Sequence, residues 1–405
     1  MTSKFLFAAL TAGLLLGAAP ASIAAPDAPK PPKITPAVLK NLSAAQTANN
    51  KKDFPTALAA IDEAKKVADR TPYDDYMINR FAMGVHVGQN DMAAADVDAE
   101  AAADVDPAIV PETDKAQVYL PALKLAVYAK HYDKAAKYAK LYMATTPPPT
   151  GPDLALATQA LYLAGDYAGA TAIAQKNIDA ATAAGQKPAR SDLDIVMASQ
   201  VKQKDEPGAE KTLELLVSSY NEPDDWSQIM GVALTTKGMR DIDYIYMGRL
   251  MLVNGGKVSS TDASLVGSVA NKSALYGDAA AMQKVGGPAP DARMAADQKS
   301  LPAQITAEAK QGGEYDVKTA EALYGYGMYP EAEAAARLAQ TKGGAKDPTE
   351  APMVIGMAQA AQGKYADAAT TFAGITAPNP ASARVVRLWG YYVKTKANPA
   401  TAAAK

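Results

Sequence analysis

The chain is 405 residues long, with a formal net charge of −2 and a 48% hydrophobic composition. Its 41 basic and 43 acidic side chains are well mixed, which leaves no single-sign field to steer nucleic acid or an anionic membrane. The absence of cysteine excludes a disulfide framework, thiolate metal sites, a lipidated cysteine and a cysteine nucleophile.

The first element is a leader. Met1 to Lys4 carry one positive charge, Phe5 to Gly17 are apolar, and Ser22-Ile23-Ala24 is a small-x-small cleavage signal, so residues 1–24 read as a secretory signal peptide cut between Ala24 and Ala25. The apolar run is too short to span a bilayer and no later run is long enough, so stable membrane insertion after removal of the leader is not expected. The chain therefore reads as exported, to a periplasm or beyond. Residues 25–36 hold five prolines and form an extended spacer.

From Pro36 the apolar spacing becomes helical, with Val38, Leu39 and Leu42 on one face, a polar turn at Asn49 to Asp53, and Ala57, Leu58, Ile61 and Ala64 on the next. Similar pairs follow, each punctuated by proline or glycine, at Thr71-Pro72, Val110-Pro111, Pro147 to Pro149, Gly185 to Pro188 and Glu222-Pro223. Between Trp226 and Gln311 four helical segments are expected (226–236, 240–253, 261–275 and 278–285) without a clear register. Gly286-Gly287-Pro288-Ala289-Pro290 reads as a hinge, dividing a block at 37–285 from one at 291–397. The last helix places Val385, Leu388, Trp389 and Tyr392 on one face and reads as a cap. Residues 398–405 read as a disordered tail.

The pairs share an anchor. An aromatic or large residue is followed three positions later by alanine at Phe54/Ala57, Met92/Ala95, Tyr132/Ala135, Tyr167/Ala170, Tyr329/Ala332 and Tyr365/Ala368, with a weaker copy at Glu206/Ala209. Four residues after the alanine comes a second apolar position: Ile61, Ala99, Ala139, Ala174, Leu213, Ala336 and Phe372. The spacing is 35 to 40 residues, except for a gap of 123 between Ala209 and Ala332 that leaves room for two degenerate copies. The best copies, Gly165-Asp166-Tyr167-x-x-Ala170 and Gly363-Lys364-Tyr365-x-x-Ala368, resemble the tetratricopeptide repeat family. The family's first-helix glycine is matched by Gly356 but replaced by Thr158 and Ala320. A period of this size predicts an all-α solenoid of about nine helical hairpins, each too small to stand alone and each shielding its neighbour.

The resemblance implies a concave groove lined by the first helix of each pair, and a protein or peptide as ligand. It places Leu120, Lys124 and Tyr128, Gln159 and Tyr162, Glu321 and Tyr324, and Met353 and Met357 in that groove. Tyrosine and soft methionine suit an extended peptide.

Motifs for other chemistry fail on their companions. Ser199-x-x-Lys202 lacks the partner motifs of a serine acyl-enzyme, and Gly255-Gly256-Lys257 lacks the remainder of a phosphate loop. His86 and His131 read as ordinary turn residues with no zinc spacing, and Asp96-Val97-Asp98-Ala99-Glu100 reads as a solvated acidic face. No catalytic residue, metal or cofactor is expected. The expected function is a non-catalytic scaffold binding through the groove. The alternatives are a structural subunit of a cell-envelope assembly, docking through Trp389 and Tyr391, and an α/α-toroid glycan enzyme.

Overall fold

A computed structural model of the chain describes residues 32–308 and 311–397. Among them are twenty helices and no strand. The expected signal peptide with its cleavage pair, most of the expected Pro-rich spacer and the expected tail at 398–405 lie outside the described residues.

One backbone geometry recurs at eight turns and explains the repeat. Two residues before each anchor position, the chain enters the left-handed region, at Lys52, Asn90, Lys130, Gly165, Lys204, Ala274, Gly327 and Gly363, with φ between 57° and 83°. The next N–H reaches back to a carbonyl near the end of the preceding helix, as in Asp53 N–H to Ala48 O at 3.0 Å and Asp166 N–H to Leu161 O at 2.9 Å. This bond closes a Schellman-type end. The same residue then begins the next helix: the carboxylates of Asp53, Asp91 and Asp166 accept from the backbone N–H three positions on, at Thr56, Ala94 and Gly169. The Gly-Asp-aromatic signature thus has a physical meaning. Glycine takes the left-handed site without a Cβ clash, aspartate caps, and the aromatic is the first helical residue.

The anchor alanines lie where the helices press together. Ala57, Ala95, Ala135, Ala170, Ala332 and Ala368 are fully buried, and all seven apolar positions four residues later are buried too. Ala209, in the weakest copy, is only half-buried. The aromatics Phe54, Tyr132, Tyr167, Tyr329 and Tyr365 are partly covered at the turns. Gly356 is required for a similar reason: a Cβ there would sit 2.8 Å from the Phe372 ring.

The chain divides into two compact units, residues 1–184 with 194–203, and residues 185–193 with 204–405. In the first, α1 (Pro36–Asn50) pairs with α2 (Phe54–Lys65), α3 (Pro72–Gly88) with α4 (Met92–Ala103), α5 (Glu112–Tyr128) with α6 (Tyr132–Met143), and α7 (Gly151–Leu163) with α8 (Tyr167–Ala183). Leu42, Tyr76, Phe81, Leu123 and Leu161 belong to one continuous core through these pairs. Helix α9 (Arg190–Lys202) spans the division.

The second unit begins with α10 (Glu206–Tyr220), followed by α11 (Pro223–Leu234) against α12 (Asp241–Asn254), and α13 (Ser260–Lys272) against α14 (Tyr276–Gln283). The latter pair is a copy that the sequence reading passed over: Ala274 takes the left-handed turn, Tyr276 follows, and Ala279 is fully buried. After α15 (Met294–Glu308), which lies against the next helix, come α16 (Gly313–Gly325) with α17 (Tyr329–Lys342), then α18 (Glu350–Ala361) with α19 (Tyr365–Ala373). The last helix is α20 (Pro380–Ala397).

Gly286–Pro290 is not the division expected of it. This loop lies inside the second unit, joining α14 to α15, and the Asn271 side chain clasps it through Ala289 O at 3.0 Å and Asp291 N–H at 2.9 Å. Its glycine serves close packing, since a Cβ on Gly287 would meet Ala263 O at 2.7 Å.

Candidate partner-binding faces

In the first unit the inner positions lie at the surface. Tyr128 is 50% exposed, Gln159 is exposed, and Leu120 and Tyr162 are half-buried, with Tyr162 set against Tyr167 at 5.5 Å between ring centroids. Lys124 Nζ stands 3.4 Å from Asp153 across α5 and α7, and Arg80 reaches Asp114 at 2.8 Å across α3 and α5. These cross-helix pairs fix neighbouring first helices side by side. What they leave facing out is the Gln159 amide and the Tyr128 phenol, a surface suited to peptide groups.

The corresponding positions of the second unit are buried and engaged. Glu321 is 1% exposed and Met357 fully enclosed, with Tyr324 and Met353 nearly so, so these four residues do not offer a free groove. The reason is twofold. Arg249 of α12 lies among them, bidentate to Asp278 at 2.9 Å and 2.5 Å from Glu321 Oε2, with its guanidinium 4.3 Å from the Tyr324 ring centre. Tyr246 O–H donates to the other Glu321 oxygen at 2.6 Å. Burial opposes charge on Arg249, but the two carboxylates outweigh it and hold the guanidinium well above its ordinary value. Burial likewise lifts the Glu321 carboxyl, against the pull of Arg249 and Tyr246.

The second reason is α20. It packs on α19 as a cap would, then continues against α10, α11 and α12. Trp389 stacks on Phe372 at 5.7 Å and its indole N–H donates to Tyr246 O at 3.0 Å. Ser382 O–H donates to Asp243 at 2.9 Å, Arg387 forks onto Glu214 at 2.8 and 3.0 Å, and Arg384 bonds Glu210. Trp389 is buried and Tyr391 half-buried against Glu214, so the docking role considered for this pair is filled within the chain.

The acidic run of α4 is not a solvated face either. Asp96 lies 2.8 Å from His131 Nδ1, Asp98 lies 2.6 Å from His86 Nδ1, Glu100 accepts from Lys134 at 2.5 Å, and Asp104 accepts from Lys137 at 2.8 Å and from Tyr138 O–H at 3.0 Å. Carboxylates at one-turn spacing along and just past α4 meet basic side chains at similar spacing at the start of and along α6. Both histidines are thus packing partners in the hairpin stack. The signal was the matching spacing of His131, Lys134 and Lys137.

A cleft of about 640 Å³ in the second unit is lined by Arg240, Ile242, Leu275, Lys318, Asp347 and Glu350, among others. Its ions are already matched: Arg240 bonds Asp347 and Lys318 bonds Glu350 at 2.5 Å. Among the described residues no group of three or more His, Asp or Glu side chains could hold a metal ion. No described helix is long and apolar enough to cross a membrane.

No family model matches the chain, and no curated protein matches it. Among solved structures it is similar to a crystal structure of the P58(IPK) TPR domain, with 13% identity over 90% of this chain and 99% of that one. The TM-score is 0.23. That is too low to compare the two arrangements, and the helical-hairpin fold stands on the turns and buried anchors above.

Proposed function

We propose that the protein is an exported, non-catalytic scaffold that binds a protein segment on the inner face of its first unit, around Lys124, Tyr128, Gln159 and Tyr162. The observation that carries this reading is the seating of α20 in the second unit: hairpins of this chain hold a helix through aromatic contact and charge pairing. In the first unit Tyr128 and Gln159 are exposed at the inner positions, with Lys124 and Tyr162 half-buried beside them. Export is supported by the charged, apolar and small-residue pattern of residues 1–24, and a periplasm is the compartment we favour. The test is a photo-crosslinker placed at position 128 and, separately, at the exposed outer Val97. A partner captured only from position 128, whose purified form loses at least tenfold in affinity for Tyr128→Ala/Gln159→Ala, supports the reading. Equal capture from both positions refutes it.

A further inference from the structure

Helix α20 has contacts unlike those of the other helices in its unit. The paired helices pack mainly on their sequence neighbours, whereas α20 reaches further back than any of them, as in Arg387 with Glu214 and Trp389 with Tyr246. It is joined to α19 by residues 374–379, which hold no helix and contain Gly374 and Pro378. Its seat combines three kinds of recognition. An aromatic wall at Phe372 takes Trp389, a carbonyl at Tyr246 accepts the indole N–H, and two carboxylates on α10 take Arg384 and Arg387. This is how a helix-in-groove ligand is held, with an apolar anchor fixing position and charge at the edge fixing register.

We propose that the seat formed by α10, α12 and α19 is a helix receptor occupied by α20 as a resident ligand, and that its external partner is an amphipathic helix of the same chemistry, with two basic residues just ahead of a tryptophan. The partner gains the face by exchange with α20. The tether sets the balance: a linked helix competes at an effective concentration of about a millimolar, so a free helix wins only when the resident is weakened or the newcomer binds more tightly. The inference is independent of what the first unit binds.

The experiment uses the full chain and a fluorescent peptide of residues 380–397. Wild type should leave the peptide free at tens of micromolar, because its own helix fills the seat. Trp389→Ala cripples the resident while the peptide keeps its tryptophan, so this variant should bind the peptide at least tenfold more tightly than wild type does. Adding Glu210→Lys and Glu214→Lys should remove that gain. A Trp389→Ala variant with native helicity and no gain in peptide binding overturns the proposal, as does a gain that survives the two lysine substitutions. If Trp389→Ala lowers helicity, hydrogen exchange on wild type decides. Amides of α20 exchanging at least tenfold faster than those of α18 support a detachable helix, and exchange of the two helices together overturns it.

Discussion

Ala274 should be more stable as glycine. It sits at φ 57° in the turn between α13 and α14, the site that Gly165, Gly327 and Gly363 fill in the best copies of the repeat. An L-residue in this region brings its Cβ against the following carbonyl, at a cost of roughly 1 to 2 kcal/mol. The methyl of Ala274 is exposed and contributes no packing to offset this. Glycine loses more chain entropy on folding, which returns roughly 0.5 to 1 kcal/mol of the gain. The expected net effect of Ala274→Gly is a stabilisation of about 0.5 to 1 kcal/mol, and Gly327→Ala, the reverse change at the equivalent site, should cost about the same. Because the chain has two compact units, the measurement is best made locally. Native-state hydrogen exchange on α13 and α14 reads the first variant, and exchange on α16 and α17 reads the second. Opposite signs of similar size support the common turn. A loss of stability in Ala274→Gly, or no loss in Gly327→Ala, would refute the assignment of α13 and α14 as a repeat copy.

Ala170 is fully buried at N4 of α8, so Ala170→Leu should overpack the crossing and cost about 1 to 3 kcal/mol, read as a lower melting temperature of the first unit; an unchanged melt would place the crossing elsewhere. Arg249→Met should cost about 3 to 5 kcal/mol in urea titration, since it leaves Asp278 and Glu321 buried without their cation. Its deficit should shrink on acidification: burial raises the folded Glu321 carboxyl above 4.5, so this group favours the fold below that value and ceases to as pH rises through the raised one. A deficit independent of pH would remove Glu321 from the account. Asp74 behaves oppositely. Burial would raise it, but four hydrogen bonds from the Thr35 and Thr71 N–H and O–H groups prevail and hold it below 3.8. Its contribution is present above the unfolded value and lost as pH falls through the folded one, so Asp74→Asn should lower stability at neutral pH and flatten the acid limb of the pH–stability curve. An acid limb as steep as that of wild type would argue that other carboxylates dominate it.

The hairpins were legible because the turn imposes residue types. A left-handed site asks for glycine, a shared cap asks for aspartate, and a close crossing asks for alanine; wherever two of these coincide, as at Gly165-Asp166 with Ala170, the position reads directly. Ala274 hid its copy because alanine carries no left-handed signal, although Tyr276 and Ala279 kept the anchor. Gly286–Pro290 misled for the converse reason: glycine and proline there mark close approach to Ala263 and a clasp by Asn271, which composition does not distinguish from a hinge. The pairing of α4 with α6 depends on which helix faces which, and Asp96, Glu100 and Asp104 taken alone look like any charged surface.

The inner faces show the limit most clearly. In the first unit those positions hold the polar side chains of Lys124, Tyr128 and Gln159, which lie at or near the surface. In the second they hold Met353 and Met357 beside Glu321 and Tyr324. Two methionines on one face suggest adaptable binding when read singly, yet left bare they would expose apolar area at about 25 cal/mol per Å². A buried Glu321 is tolerable only with Arg249 and Tyr246 bonded to it. Both conditions call for the face to be covered at all times, by the resident helix or by one that replaces it. The sequence contains that cover in the aromatic and leucine face of α20, and its arginines match glutamates on α10 that no local pattern links to them. Recognising the match requires pairing a surplus of apolar inner positions in one stretch with an unpartnered amphipathic helix at the end of the same unit, a relation between segments that repeat counting alone does not contain.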